Sequence, residues 1–185
     1  WDDRRQMFTD RLVSRFRDCT IFVSEGVRSD YVSKIPLDKE SCTVIYNGID
    51  TESIDRRFPE VISGKPEGFS ISSMGILTRR KGFDFLMRGF ARFLELTEAP
   101  DARLVIIGSG PERSALESLA SELGIDGRLR FTGFLNDPLP ELARSHLFAM
   151  VSKNEGIANA LLEAMYLGKP VVATGYSGNL DFMSR

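Results

Sequence analysis

The 185-residue sequence holds one histidine and two cysteines, His146, Cys19 and Cys42. That poverty excludes most metal and thiol chemistry. Two cysteines make neither a disulfide framework nor a zinc site, and they read as incidental thiols of a reducing compartment. No H-E-x-x-H, C-x-x-C or clustered ligand set occurs, no G-x-S-x-G nucleophile elbow, and no G-x-x-x-x-G-K-[ST] phosphate loop. Neither sign of charge dominates, with 24 Lys and Arg against 26 Asp and Glu. The net charge of -2 argues against a general nucleic-acid binder. No apolar run approaches the roughly 20 residues of a membrane span, and no signal-peptide pattern is present. What remains is ordinary globular material, 42% hydrophobic and 27% charged. The chain begins with Trp1 and stops soon after a strand-like segment, so it reads as a piece of a longer protein.

From residue 69 the pattern alternates strand and helix. F-S-I-S-S-M ends at Gly75. A stretch over 83–96 repeats Phe83, Leu86, Phe90, Phe93 and Leu94 at helical spacing. R-L-V-I-I-G is a short continuous apolar run of the kind buried on both faces of a parallel sheet. Pro111 opens a second helix with Gly124 as its stop. L-R-F-T-G-F, L-F-A-M-V-S and P-V-V-A-T supply three more strands. Short helices are expected over 139–145 and 159–167, the latter closed by Gly168. This order predicts an α/β fold with right-handed crossovers and a Rossmann-like, doubly wound parallel sheet. Ligands of such sheets sit beyond the carboxyl ends of the strands. The loops 75–82, 108–110, 133–136, 152–159 and 175–179 all converge on that edge.

The first 60 residues read differently. A charged helix is expected over 2–17, a strand over 20–24, a helix over 25–34 capped by Ser24, and a strand over 43–46 running into an Asn47-Gly48 turn. Residues 59–68 look like a linker. A strand at 20–24 cut from its sheet would have open edges. It is expected to be disordered, docked on the rest of the chain, or paired with another copy.

The segment S-K-N-E-G-I-A-N-A-L-L-E-A-M carries the strongest chemistry. Glu155 follows an apolar strand, and Glu163 lies eight residues later in a helix. A helix N-terminus offers free amides and the positive end of a dipole, which hold phosphate without a special side chain. One carboxylate before it can accept from sugar hydroxyls, and one within it can grip a ribose diol; the alternative is two surface charges. T-R-R-K-G at 78–82 sets Arg79, Arg80 and Lys81 beside the same edge, as pyrophosphate partners or as solvated surface. G-S-G-P at 108–111 lacks the third glycine of a dinucleotide fingerprint and reads as a tight turn permitting close approach of a ligand to the backbone, or as a turn alone. His146 falls outside these loops and reads as structural.

In order along the chain, V-I-Y-N-G-I-D, G-I-L-T-R-R-K-G-F-D, L-V-I-I-G-S-G-P-E-R, R-F-T-G-F and E-G-I-A-N-A-L-L-E-A-M-Y-L-G-K-P-V-V-A-T resemble the retaining GT-B glycosyltransferases of glycosyltransferase family 4, including their E-x7-E motif. The resemblance implies a tail of the N-terminal acceptor domain over 1–45, an interdomain region over 46–68, and a nucleotide-sugar-binding domain over 69–185, truncated at its C-terminus. It implies a hexosyltransferase acting with retention on a UDP- or GDP-sugar. The acceptor, a glycan or lipid-linked molecule, would be supplied through the missing N-terminal domain, and the piece alone would be inactive. It implies no metal, no cofactor and no nucleic acid. The setting would be polysaccharide biosynthesis in the cytoplasm, at the inner face of the membrane, with peripheral membrane association of the full protein and self-association of the piece as further expectations. By position, Glu155 faces the donor sugar and Glu163 the ribose. Lys81 meets the diphosphate. Gly75 and Gly108 allow close approach. Gly156, Ile157, Ala158 and Asn159 form the loop opening the helix, Phe134 lies near the base, and Gly178 and Asn179 flank the site. Two departures stand out. Ile76 occupies the place of a common arginine, for which Arg79 or Arg80 would have to substitute, and S-G-N-L-D-F replaces the more usual G-G-x-x-E. A non-catalytic binding or assembly module is the rival reading. A dinucleotide-dependent oxidoreductase is disfavoured by the missing fingerprint.

Overall fold

Arg103–Ile107 reads R-L-V-I-I, and its last four residues are all buried. Such a strand needs cover on both faces, and the rest of the fold supplies it. The structure, a computed structural model, describes residues 4–14, 16–35, 37, 39–61, 68–97, 99 and 101–183. They form two units, each with its own packing.

The larger unit spans Ile49–Asn154 and Asn159–Thr174. Its elements are α3 (Thr51–Val61), β3 (Ser70–Met74), α4 (Phe83–Leu96), β4 (Arg103–Ile107), α5 (Arg113–Glu122), β5 (Leu129–Gly133), α6 (Leu139–Ala143), β6 (Leu147–Met150), α7 (Asn159–Tyr166) and β7 (Val171–Ala173). The five strands are all parallel, in the order β5-β4-β3-β6-β7. Leu104 and Ile106 join Phe83, Met87, Phe90, Leu116 and Leu119 of α4 and α5 in one cluster. Val105 and Ile107 point to the opposite face and are equally buried. There α6 packs on both α3 and α7, with Leu139, Leu142, Leu161 and Ala164 buried. β3 carries three serines through this core. The Ser72 hydroxyl donates to Ser145 Oγ at 2.8 Å, which donates to the Leu142 carbonyl at 2.7 Å, so those hydroxyls are buried at little cost. His146 is structural, as expected: its Nδ1 accepts from Ser70 N at 3.1 Å and its ring stacks on Phe69.

The smaller unit comprises Trp1–Gly48, Glu155–Ala158 and Gly175–Arg185, as far as these are described. It contains α1 (Arg4–Ser14), β1 (Thr20–Phe22), α2 (Glu25–Lys34), β2 (Cys42–Val44) and α8 (Ser177–Met183). β1 and β2 pair in parallel, so the two short strands meet each other. Phe22, Tyr31 and Ile35 form its core, and α8 packs on α2.

Three expectations need correction. The expected linker over 59–68 begins inside α3, which runs to Val61. Asp50 Oδ1 accepts from Ser53 N at 2.9 Å as a helix cap does, and Ile54 buries its side chain. Residues 62–67 of that expectation lie outside the described residues. The Asn47-Gly48 turn is absent because the Asn47 amide has a tertiary partner, the Ile157 carbonyl at 3.1 Å. The loop expected over 175–179 is helical from Ser177, where Asn179 N and Leu180 N both bond the Tyr176 carbonyl.

Candidate functional site

In the order β5-β4-β3-β6-β7, the chain leaves β3 first to one side and later to the other. Beyond the carboxyl ends of β3 and β6 lies the switch point where doubly wound sheets bind ligands. The loops after these two strands are joined there. Lys153 N donates to the Arg80 carbonyl at 2.7 Å, and Arg80 Nη1 donates to the Asn154 carbonyl at 2.9 Å. Four cations, Arg79, Arg80, Lys81 and Lys153, ride on this pair of loops. Residues 79–81 form one 3-10 turn closed by Gly82 at φ 67°. Lys81 folds back over the end of β3: a Cβ placed on Gly75 would lie 3.2 Å from Lys81 Cε and 3.5 Å from its Nζ. Arg80 is committed to the neighbouring loop. Arg79, 88% exposed, pairs with Glu112 at 3.5 Å. Lys81 is the cation placed at the end of β3. Lys153 also sits 5.3 Å over the Phe85 ring. Sequence reasoning missed Lys153, although it lies inside the S-K-N-E-G segment.

Beside Lys81 a cavity of about 220 Å³ opens at the ends of β3, β4 and β5. Ile76, Gly108, Phe134, Leu135 and Pro138 line it. Phe134 is 75% exposed and Ile76 64%, so two large apolar side chains stand ready at its mouth. Pockets for drug-sized ligands run from about 300 to 1,000 Å³, which makes this space one for a ring system. Gly108 fixes its floor. With φ 139°, a Cβ there would fall 2.1 Å from the Gly75 carbonyl oxygen, so the turns after β3 and β4 touch through backbone alone. A second space of about 300 Å³ lies between α4 and α5, lined by Arg79, Asp84, Glu112 and Lys153 among others. Its lining comes from α4 and α5 and from the loops after β3, β4 and β6.

Glu163 lies in the middle of α7, half-buried. Burial pushes its carboxyl above the usual carboxylate range, the Arg57 guanidinium pulls it down, and Asp137 pushes it up. Arg57 Nη1 pairs with Asp137 Oδ1 at 3.3 Å. Asp137 Oδ1 also accepts from Leu139 N at 3.2 Å and so anchors the loop that carries Phe134. Sequence reasoning missed Arg57 and Asp137 as well: Arg57 sits on an exposed-looking charged helix, and only the α3 and α6 packing brings it here.

The other expected residues divide between the units. Asn159 is the first residue of α7, in the larger unit. Glu155, Gly156, Ile157 and Ala158 belong to the smaller unit. Glu155 is half-buried, and Ile157 and Ala158 are buried. Gly178 and Asn179 sit in the first turn of α8, with Asn179 fully enclosed. A Cβ on Gly178 would fall 1.5 Å from the Gly156 carbonyl oxygen. Among the described residues no group of three or more His, Cys, Asp or Glu is placed to hold a metal, and no helix is long and apolar enough to cross a membrane.

The family model "Glycosyl transferases group 1" matches residues 68–184, a span that takes in the whole sheet, the cation loops and both glutamates. The chain belongs to the group 1 glycosyl transferases. A relative in Rhizobium meliloti, "Lipopolysaccharide core biosynthesis glycosyltransferase LpsE", is 35% identical over 176 residues, covering 92% of this chain and 48% of that protein. The 4-alpha-N-acetylgalactosaminyltransferase of Campylobacter jejuni that acts on N-acetylgalactosamine-N,N'-diacetylbacillosaminyl-diphospho-undecaprenol is 32% identical over 153 residues, 83% of this chain and 40% of that one. This group 1 chain thus spans about half the length of the curated relatives it matches. Among solved structures, Anabaena HepE in complex with UDP and glucose superposes with a TM-score of 0.75 at 24% identity, covering 95% of this chain and 50% of that one. S. aureus TarM superposes with 0.77 at 18% identity, covering 98% and 34%. At such identities the likeness is one of fold, and the fold is that of GT-B glycosyltransferase structures.

Proposed function

We propose that this chain is the donor-binding half of a retaining family 4 hexosyltransferase, which moves a sugar from a nucleotide diphosphate to a glycan or lipid-linked acceptor. The observation that carries the reading is the pairing, at the carboxyl end of β3, of a ring-sized apolar cavity with a cation-bearing loop whose Lys81 lies over Gly75. The base would enter between Ile76 and Phe134, and the diphosphate would meet Lys81 with Lys153 nearby. The ribose hydroxyls would donate to Glu163. Glu155, in the smaller unit, would orient the donor sugar.

In this reading the acceptor oxygen attacks the anomeric carbon from the face the diphosphate leaves. The C–O bond to the diphosphate breaks, the new glycosidic bond forms on the same face, and the acceptor proton passes to the departing phosphate oxygen. The charge developing on that oxygen is what Lys81 and the amides at the start of α7 stabilise. This route needs no metal and no cofactor. The acceptor site would lie in the half of those relatives that this chain does not span. A cytoplasmic protein working at the inner face of the membrane fits the names of the lipopolysaccharide and undecaprenol relatives. HepE structures with UDP and UDP-glucose make uridine donors the first to try. Calorimetric titration of the chain with UDP, GDP, ADP, UDP-glucose and GDP-mannose tests the reading. Binding of at least one nucleotide that Glu163→Ala weakens supports it, and no binding by any of them to a folded sample sinks it.

One observation favours a second reading, a nucleotide-binding module without transfer. Ile76 places an apolar side chain on the cavity wall where the resemblance calls for a cation. Turnover by the full-length protein separates the two: release of UDP or GDP from a sugar nucleotide with formation of a glycoside supports the transferase, and nucleotide binding without turnover of any donor supports the module.

A further inference from the structure

We infer that Asp181 and Asn47 are positioning residues that hold the tetrapeptide Glu155–Ala158 in its working shape, from outside the sheet that carries the nucleotide site. The inference rests on the donor reading for its functional meaning and on the smaller unit for its geometry. The tetrapeptide lies in sequence between β6 and α7, yet it packs with Trp1–Gly48 and Gly175–Arg185. Three pieces of that unit close on it. The Asn47 side-chain amide donates to the Ile157 carbonyl at 3.1 Å. A Cβ on Gly156 would meet Val23 Cγ2 at 2.7 Å. A Cβ on Gly178 would meet the Gly156 carbonyl oxygen at 1.5 Å and the Glu155 carbonyl oxygen at 3.0 Å. The first turn of α8 is therefore pressed against the loop, and whatever fixes α8 fixes the loop.

Asp181 fixes α8. Its Oδ2 accepts from Glu25 N at 2.7 Å and Gly26 N at 3.3 Å, and its Oδ1 from Gly26 N at 3.2 Å. These are the first amides of α2, where the helix leaves its donors unpaired and its dipole favours an anion. Ser24 Oγ takes the next one, Val27 N, at 3.1 Å. Glu25 does not compete for this place, because its own carboxylate pairs with Arg28. Phe182, the next residue of α8, meets Tyr46 edge-on with ring centroids 5.6 Å apart, beside Asn47. Asp181 is the acidic residue of S-G-N-L-D-F, the segment that departs from G-G-x-x-E. Its carboxylate is spent on α2, and its effect on the donor passes through Gly178 and residues 155–158. A shift of about 1 Å in a positioning group can cost about 100-fold in rate, far more than one broken hydrogen bond would suggest. The sugar-facing part of the site should therefore depend on Asp181 and Asn47, and the nucleotide part should not.

The test uses the 185-residue chain and the variants Asp181→Ala, Asp181→Asn and Asn47→Ala, with UDP and UDP-glucose, and GDP and GDP-mannose, as matched probe pairs. Expected is a loss of about tenfold in affinity for the sugar nucleotide in both alanine variants, with the free nucleotide bound as by the wild type. Asp181→Asn, which keeps one acceptor oxygen, should fall between. Hydrogen exchange reads the same effect without a ligand. The amides of Gly156, Ile157 and Ala158 should exchange about tenfold faster or more in the variants, while those of β4 stay protected. Unchanged exchange at residues 156–158 overturns the inference, as does an equal loss of nucleotide and sugar-nucleotide affinity. If the wild type binds none of the probes, the donor reading fails and the exchange result still decides whether the loop is held. Should Asp181→Ala not fold, Asn47→Ala and Asp181→Asn carry the test.

Discussion

Gly108→Ala is the sharpest probe of the strand-end geometry. The new methyl group would sit 2.1 Å from the Gly75 carbonyl oxygen, whereas even close C–H···O contacts between strands stand at about 3.3 Å. The turns after β3 and β4 would have to part by about 1 Å. They are held together by Gly75 N to the Ile107 carbonyl at 3.0 Å and Leu77 N to the Ser109 carbonyl at 2.9 Å. Losing both costs about 2 kcal/mol at roughly 1 kcal/mol each. Forcing a side chain to φ 139° adds about 1–3 kcal/mol, and the stiffer unfolded chain returns about 0.4–1 kcal/mol. The sum is a destabilisation of about 3 kcal/mol. With a urea slope of about 2 kcal/mol per molar, the midpoint should drop by about 1.5 M, followed by circular dichroism. Gly127→Ala is the control, since a Cβ there meets nothing within 4 Å, and it should shift stability by no more than about 0.5 kcal/mol. The cavity floor moves with Gly108, so nucleotide affinity should fall with stability. A Gly108→Ala protein within about 1 kcal/mol of wild type, binding nucleotide normally, would refute the close backbone approach.

Three further outcomes are expected. Lys81→Ala should weaken UDP binding by about 10- to 100-fold, as loss of a charge-assisted phosphate contact does, and leave uridine binding unchanged by calorimetry. Glu163 is held above its ordinary value of 4.5 mainly by burial, so between 4.5 and its folded value the native chain binds more protons than the unfolded one. Its contribution is complete below 4.5 and is lost as pH rises through the folded value. Glu163→Gln should therefore gain stability relative to wild type as pH climbs through that window, in urea titrations at stepped pH, and its UDP affinity should lose the pH dependence that the wild type shows. Phe90, 2% exposed in the α4–β4 core, should cost about 3–5 kcal/mol as alanine, read from the thermal or urea midpoint, with no selective effect on nucleotide binding.

Periodicity made the sheet and its helices legible. The repeat of Phe83, Leu86, Phe90 and the R-L-V-I-I run leave little choice of structure, and α4 and β4 occur where they point. α3 was not legible. Its sequence T-E-S-I-D-R-R-F-P-E-V is mostly charged, and Pro59 looks like a stop, but a proline near a helix end removes one donor and leaves the earlier turns intact. α8 is hidden by Gly175 and Gly178, which read as loop glycines, when Gly178 is small because the Gly156 carbonyl approaches it. That the parallel strands β3 to β7 end at one edge was legible. The division of the expected site residues between the two units was not. Nothing local in E-G-I-A says that it packs with residues 1–48, and nothing in R-R-F says that Arg57 reaches Asp137 and bears on Glu163. Both are decided by packing between distant segments.

The four crossings between the units fall at residues 48–49, 154–155, 158–159 and 174–175, and they set rules for recombination. A chimera joined at residue 48 looks like a clean exchange of halves, because residues 49–185 contain the complete five-stranded sheet. It would nevertheless give residues 155–158 and Asp181 of one parent the Val23, Asn47 and α2 amides of the other. Such hybrids should work only between parents that agree at these few positions, whatever their overall identity. A graft that also carries residues 155–158 and 175–183 with the N-terminal segment should be tolerated across wider divergence.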